Sequence, residues 1–244
     1  MIKINNLTKK YKDKLAVDNL NLEIKAGELF SLLGTNGAGK TTTIKMLSTL
    51  ILPTSGEVEI NNLDLVKDSS KIKEIINISP QETAVASNLT VLENLYFMAG
   101  IYQIPNKEDK IKKLIKLFKL EEVLKQKAKT LSGGYQRKLS IAISLINNPK
   151  ILFLDEPTLG LDVISRHDLW KVIEALKGKT TIILTTHYME EAEVLSDRIG
   201  IMNKGKLIEL GTSKELIKKA KTKNFEDAFI KIIEEDNNEN TNIC

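Results

Sequence analysis

The chain has 244 residues, 42% of them hydrophobic, enough for a large domain with a real core and too apolar for a disordered protein. Its 36 basic and 32 acidic residues leave a net charge of +4, too balanced to point to a nucleic-acid partner. The single cysteine, Cys244, excludes a disulfide framework within the chain, gives no zinc site and fits a reducing compartment.

The first residues, Met1 to Asn6, lack the long apolar core of a signal peptide. No apolar run approaches the roughly 18 residues that cross a bilayer. The expectation is a soluble protein that needs a partner to act at a membrane.

Leu20, Leu22 and Ile24 alternate with Asn21 and Glu23, the period of a half-buried strand. Lys25 to Glu28 turns the chain into an apolar run, Leu29 to Leu33, that predicts a buried strand. Next comes Gly34-Thr35-Asn36-Gly37-Ala38-Gly39-Lys40-Thr41, which fits the phosphate-loop pattern G-x-x-x-x-G-K-[ST] at every fixed position. Its glycines let the backbone turn N–H groups inward as a nest for anionic oxygens. Gly34, Asn36, Gly37, Ala38, Gly39, Lys40, Thr41 and Thr42 are the candidate nucleotide contacts. Lys40 is placed to reach the β- and γ-phosphates, and Thr41 to put its hydroxyl on Mg²⁺. Thr42 to Leu50 predicts a helix whose N-terminal dipole adds to the site.

Val58 and Ile60 mark another strand, and Ile75 to Ser79 a further short one. From Glu82 to Lys138 the pattern turns helical. Ile111, Leu114, Ile115 and Phe118 share one face, and the lysines between them form a solvated one. Within this region, Ser132-Gly133-Gly134 opens a helix from Gln136 onward. A hydroxyl, backbone N–H groups and a helix dipole make it a second anion site.

Ile151 to Leu154 predicts a buried strand that ends on two carboxylates, Asp155 and Glu156. Ligands bind at the carboxyl edge of such sheets. Asp155 is placed to hold Mg²⁺ opposite Thr41, and Glu156 to orient or deprotonate the attacking water. A helix over 164–176, a strand over 181–184 and a hairpin over 198–210 follow. This alternation indicates a parallel sheet covered by helices. The polar stretch 234–240 predicts a frayed tail.

Leu131 to Gln136 resembles the signature motif of the ATP-binding cassette (ABC) ATPases, and other elements of that family stand in the right order. Tyr11 looks like the residue that stacks on adenine, and Gln81 like the glutamine that touches Mg²⁺ or the water. Asp162, in Leu159-Gly160-Leu161-Asp162, looks like the D-loop. His187 looks like the switch histidine on the γ-phosphate. One departure stands out: Tyr135 occupies the position where the family most often has glutamine.

The resemblance implies an α/β phosphate-loop (RecA-like) core with a mixed or parallel sheet, an antiparallel β subdomain and an inserted helical subdomain. Residues 1–82 and 139–215 would form the core, about 83–138 the helical part, and 232–244 a disordered tail beyond a domain of 1–231. It implies hydrolysis of ATP with Mg²⁺ between two cassettes paired head to tail. Ser132 and Gly134 of one subunit would contact the γ-phosphate held by Lys40 of the other. The pair would be a homodimer or a heterodimer with a second cassette.

The segment 187–198 and Phe225-Glu226-Asp227-Ala228-Phe229 are similar to the branch that powers drug, lipid or polysaccharide export. That implies a separate transmembrane subunit, no nucleic acid, and a place at the cytoplasmic face of the membrane. The alternative is a non-transport ABC ATPase working on nucleic acid or ribosomes. The gap between Lys40 and Ser132 is too short for the long coiled-coil insertions of DNA-repair members, and ribosome-acting members usually carry two cassettes per chain. His167 and Trp170 are assigned to surface or packing.

Overall fold

The computed structural model describes residues 1–241. The expectations drawn from Cys244 therefore lie outside the described residues.

Strands β1 (Ile2–Tyr11) and β2 (Lys14–Ile24) form an antiparallel hairpin, and β3 (Leu29–Gly34) leads into helix α1 (Lys40–Leu47). Next come β4 (Ser55–Ile60), β5 (Leu63–Asp64), α2 (Ser69–Ile75) and β6 (Ile76–Ser79). The helical stretch contains α3 (Val91–Ile101), α4 (Lys107–Phe118) and α5 (Gly133–Ser144). The chain then alternates through β7 (Ile151–Asp155), α6 (Val163–Glu174), β8 (Thr181–Thr186), α7 (Met189–Leu195), β9 (Arg198–Asn203) and β10 (Lys206–Gly211). It closes with α8 (Ser213–Ala220) and α9 (Phe225–Thr241).

Among the described residues the strands form two sheets. One is antiparallel, in the order β2-β1-β4-β5. The other has the order β10-β9-β3-β8-β7-β6 and is parallel except for the β9–β10 hairpin. Alternation along the strands divides the core. Phe30, Leu32, Phe153 and Ile183 pack toward the antiparallel sheet, with Ile4, Leu22 and Val58. Leu29, Leu152, Leu154 and Ile182 pack toward the helices, with Leu95, Phe118 and Leu139. The mixed sheet, the antiparallel sheet and the helical insert all match the expected α/β phosphate-loop architecture.

Three local expectations change. Strand β1 has no counterpart in the sequence reading, because register shifts between Ile4 and Lys10 and a positive φ at Asn6 (52°) break its alternation. Helix α5 begins at Gly133 rather than Gln136 and runs on to Ser144, past the expected helical boundary at Lys138. The stretch 234–240 is the end of α9 rather than a frayed tail, and residues 242–244 lie outside the described residues. Phe225, Ala228, Phe229 and Ile232 form the stripe that seats α9 against Leu33, Ile199 and Ile201. Farther along, the Asn203 amide donates to Asp236 Oδ2 (2.7 Å) and Asn237 Oδ1 (3.2 Å).

Candidate active site

The phosphate loop leaves β3 at its carboxyl edge, and no side chain caps the N-terminus of α1, so the first-turn N–H groups face the loop. Gly37 (φ +81°) and Gly39 (φ +103°) hold left-handed conformations. A Cβ at Gly39 would also sit 2.5 Å from the Ala16 carbonyl of β2. A cavity of about 440 Å³ opens over this loop. It is lined by residues 36–42, Gln81, Glu156, Leu159 and His187, with Lys14 and Ala16 from β2.

Lys40 is buried and donates from Nζ to the carbonyls of Gly34 (2.8 Å) and Thr35 (3.2 Å). The same Nζ lies 3.4 Å from Glu156 Oε1. Glu156 Oε2 lies 2.5 Å from His187 Nδ1, so three chemically different groups form one line of contacts. Glu156 is a non-glycine residue at φ +50°, a backbone strain kept where the surroundings fix it. Here the surroundings are Thr185, whose backbone oxygen and hydroxyl both accept from the Glu156 N–H at 3.1 Å.

Asp155 ends β7 and lies alongside Thr41: the Thr41 hydroxyl donates to Asp155 Oδ1 at 3.1 Å. Thr185 donates to the same oxygen at 2.5 Å. Two hard oxygens from different elements suit Mg²⁺, which takes few protein ligands and completes its shell with water and phosphate. Thr185 is the residue that the sequence reading missed most directly. Polar side chains at the carboxyl end of an otherwise apolar strand were the available signal.

Gln81 reaches the cavity because its backbone is held. Buried Arg137, on α5, donates to the Pro80 carbonyl (2.7 Å) and to the Gln81 carbonyl. Burial lowers the Arg137 pKa, and the charges of Asp155 and Glu191 push the other way. Arg137→Met is expected to lower stability by roughly 2–4 kcal/mol, since two charge-assisted hydrogen bonds vanish. Urea unfolding measures this directly.

Of the expected site residues, Gly34 and Asp155 lie just behind the cavity lining, bonded to Lys40 and Thr41, and Tyr11, Ser132, Gly133, Gly134 and Asp162 stand apart from it. Ser132 caps α5 through Tyr135 N, with Gly133 and Gly134 in its first turn. A Cβ on Gly134 would come within 3.0 Å of Ser165 Oγ. Ser165 in turn donates from its N–H (2.9 Å) and its hydroxyl (2.7 Å) to Asp162, the cap of α6, which holds that carboxyl below its usual pKa. Through Ser165, the turn at Ser132 to Gly134 and the Asp162 cap form a second constellation of their own. Tyr11 ends β1 paired with Lys14, which lines the cavity, and the residue is 45% exposed. Tyr135 packs partly against the helical core, with Lys138 Nζ 5.5 Å from its ring.

Residues 17–159 match the ABC transporter family. The chain is 43% identical over 218 residues to the human phospholipid-transporting ATPase ABCA3, covering 87% of this chain and 13% of that protein. It is 39% identical over 252 residues to the probable multidrug ABC transporter ATP-binding protein YbhF of Escherichia coli, covering 99% of this chain and 43% of that protein. It thus spans less than half the length of either relative. Among solved structures, an ATP-binding subunit of an ABC transporter superposes with a TM-score of 0.85 at 26% identity, covering 95% of this chain and 99% of that one. The dimeric cassette MJ0796 in a post-hydrolysis state, bound to ADP and Pi, superposes at 0.79 with 30% identity, covering 87% and 98%. The chain belongs to the ABC transporter family and has the fold of its ATP-binding subunits.

Proposed function

We propose that the chain binds ATP with Mg²⁺ in this cavity, hydrolyses it to ADP and phosphate, and drives a transmembrane exporter carried on a separate chain. The contact line Lys40–Glu156–His187 beside an uncapped helix N-terminus carries this reading. A γ-phosphate entering the cavity competes for the Lys40 ammonium and the His187 ring. Glu156 is then released to accept a proton from water. The water oxygen attacks the γ-phosphorus, and the bond to the β–γ bridging oxygen breaks, leaving with ADP.

Thr41 and Asp155 would hold Mg²⁺, which when bound neutralises charge on the phosphate oxygens. Gln81 would report the γ-phosphate to the helical stretch, a role supported by its place in the cavity lining beside the strand end that Arg137 grips. Tyr11 would stack on the base from the hairpin rim.

Ser132, Gly133, Gly134 and Asp162 lie outside the cavity lining, which supports a role toward the site of a partner cassette. Val163 and Ile164 are exposed beside Asp162, and exposed apolar residues of this kind suit a contact surface. Among the described residues no helix is long and apolar enough to cross a membrane. Export is favoured because relatives are named for phospholipid and multidrug transport. The working place is then the cytoplasmic face of the membrane.

The purified chain should release phosphate from ATP in the presence of Mg²⁺, and co-purify with a membrane protein that changes the rate. ATP turnover that responds to nucleic acid or ribosomes and to no membrane subunit would overturn the transport assignment.

A further inference from the structure

Glu191, on α7, has no solvent exposure. Trp170 Nε1–H donates to its Oε1 at 3.0 Å. Burial raises the carboxyl's pKa, the nearby charge of Glu156 adds to the effect, and the hydroxyls of Thr186 and Thr158 oppose it. Yet Glu191 Oε2 and Thr158 Oγ1 are both buried without a hydrogen-bond partner of good geometry in this conformation. Buried polar atoms left unpaired side by side are costly unless another conformation joins them.

The three neighbours are informative by position. Thr158 lies two residues beyond Glu156, Thr186 directly precedes His187, and Trp170 belongs to α6, which Asp162 caps. A single carboxyl therefore meets the segments that carry the proposed general base, the histidine facing it and the D-loop helix. A turn of the Thr158 hydroxyl toward Glu191 Oε2 would pair both orphaned atoms at once.

We infer that Glu191 is a positioning residue: its buried carboxyl ties Thr158, Thr186 and Trp170 into one unit, so that Glu156 and His187 keep their mutual geometry as the site closes. This rests on the proposed roles of Glu156 and His187. The competing possibility is a packing residue that merely satisfies the Trp170 indole.

Steady-state ATPase kinetics on the full chain separate the two. Glu191→Gln, neutral and able to donate, should keep kcat within about twofold. Glu191→Leu should lower kcat by about 10–100-fold, the scale of a small misplacement of reacting groups, with KM for ATP within about twofold. Thr158→Val should shift kcat the same way, by several-fold, with KM unchanged. Wild-type kcat in Glu191→Leu overturns the inference. So does Glu191→Gln as slow as Glu191→Leu, or a Leu variant that loses nucleotide affinity in step with kcat. If Glu191→Leu does not fold, Thr158→Val decides, and wild-type kcat there overturns the inference. A wild-type chain without ATP turnover defeats instead the reading of the site itself.

Discussion

Replacing Glu156 with Gln should lower ATP turnover by roughly 10²–10⁴-fold while ATP binding persists, the usual worth of a general base. The amide keeps the size of the side chain and removes its basic oxygen. Lys40 loses an ion-pair partner but keeps two carbonyl acceptors, at Gly34 and Thr35, so the loop has no reason to collapse. The Glu156 backbone, held by two bonds to Thr185, is untouched. Binding energy that normally drives a cycle of closing and opening should then trap the closed form, and an ATP-dependent dimer should accumulate. Single-turnover phosphate release and light scattering measure the two halves of this expectation. Near-normal turnover would remove Glu156 from the role of base.

Lys40→Met should fail one step earlier. The ammonium is the buried cation of the cavity lining, and three oxygens converge on it. Its loss takes away charge-assisted bonds to phosphate worth about 1.5–3 kcal/mol each, so ATP affinity should fall by about tenfold or more. Turnover should fall with it, because the same charge stabilises the transferring phosphoryl group. Removing the cation also leaves Glu156 buried without its counter-charge, a cost to the fold that denaturation would register. The two variants thus separate binding from chemistry. One holds ATP and does not cleave it, while the other scarcely holds it. Equilibrium titration with a fluorescent ATP analogue distinguishes them.

Much of this was legible in the sequence because short, local patterns carried it. The run Leu29–Leu33 and the run Ile151–Leu154 are buried on both faces, and they lead into the phosphate loop and the Asp155-Glu156 pair at the same edge of the parallel sheet. The phosphate loop and the Asp155-Glu156 pair announce themselves by residue type and spacing alone. What stayed hidden depends on pairing between distant segments. Thr185 matters because β8 lies beside β7 in register, placing its hydroxyl between Asp155 and the Glu156 N–H. Arg137 matters because α5 packs where β6 ends. Strand β1 was masked by its own bulge, and the length of α9 by the polar residues of its second half, which overshadowed the stripe from Phe225 to Ile232. Glu191 sits between Glu190 and Glu193 in an acidic segment with no sequence signal that sets it apart, yet the structure buries it completely.

The central claim is that the reacting site is shared between two subunits, with Lys40 from one and Ser132 from the other. Mixing two inactive variants, Lys40→Met and Ser132→Arg, tests it most directly. In a mixed dimer one site carries both defects and the other carries neither. Random pairing of equal amounts should restore up to about a quarter of wild-type turnover, since half of the dimers hold one intact site. A mixture no more active than the separate variants would contradict the shared site.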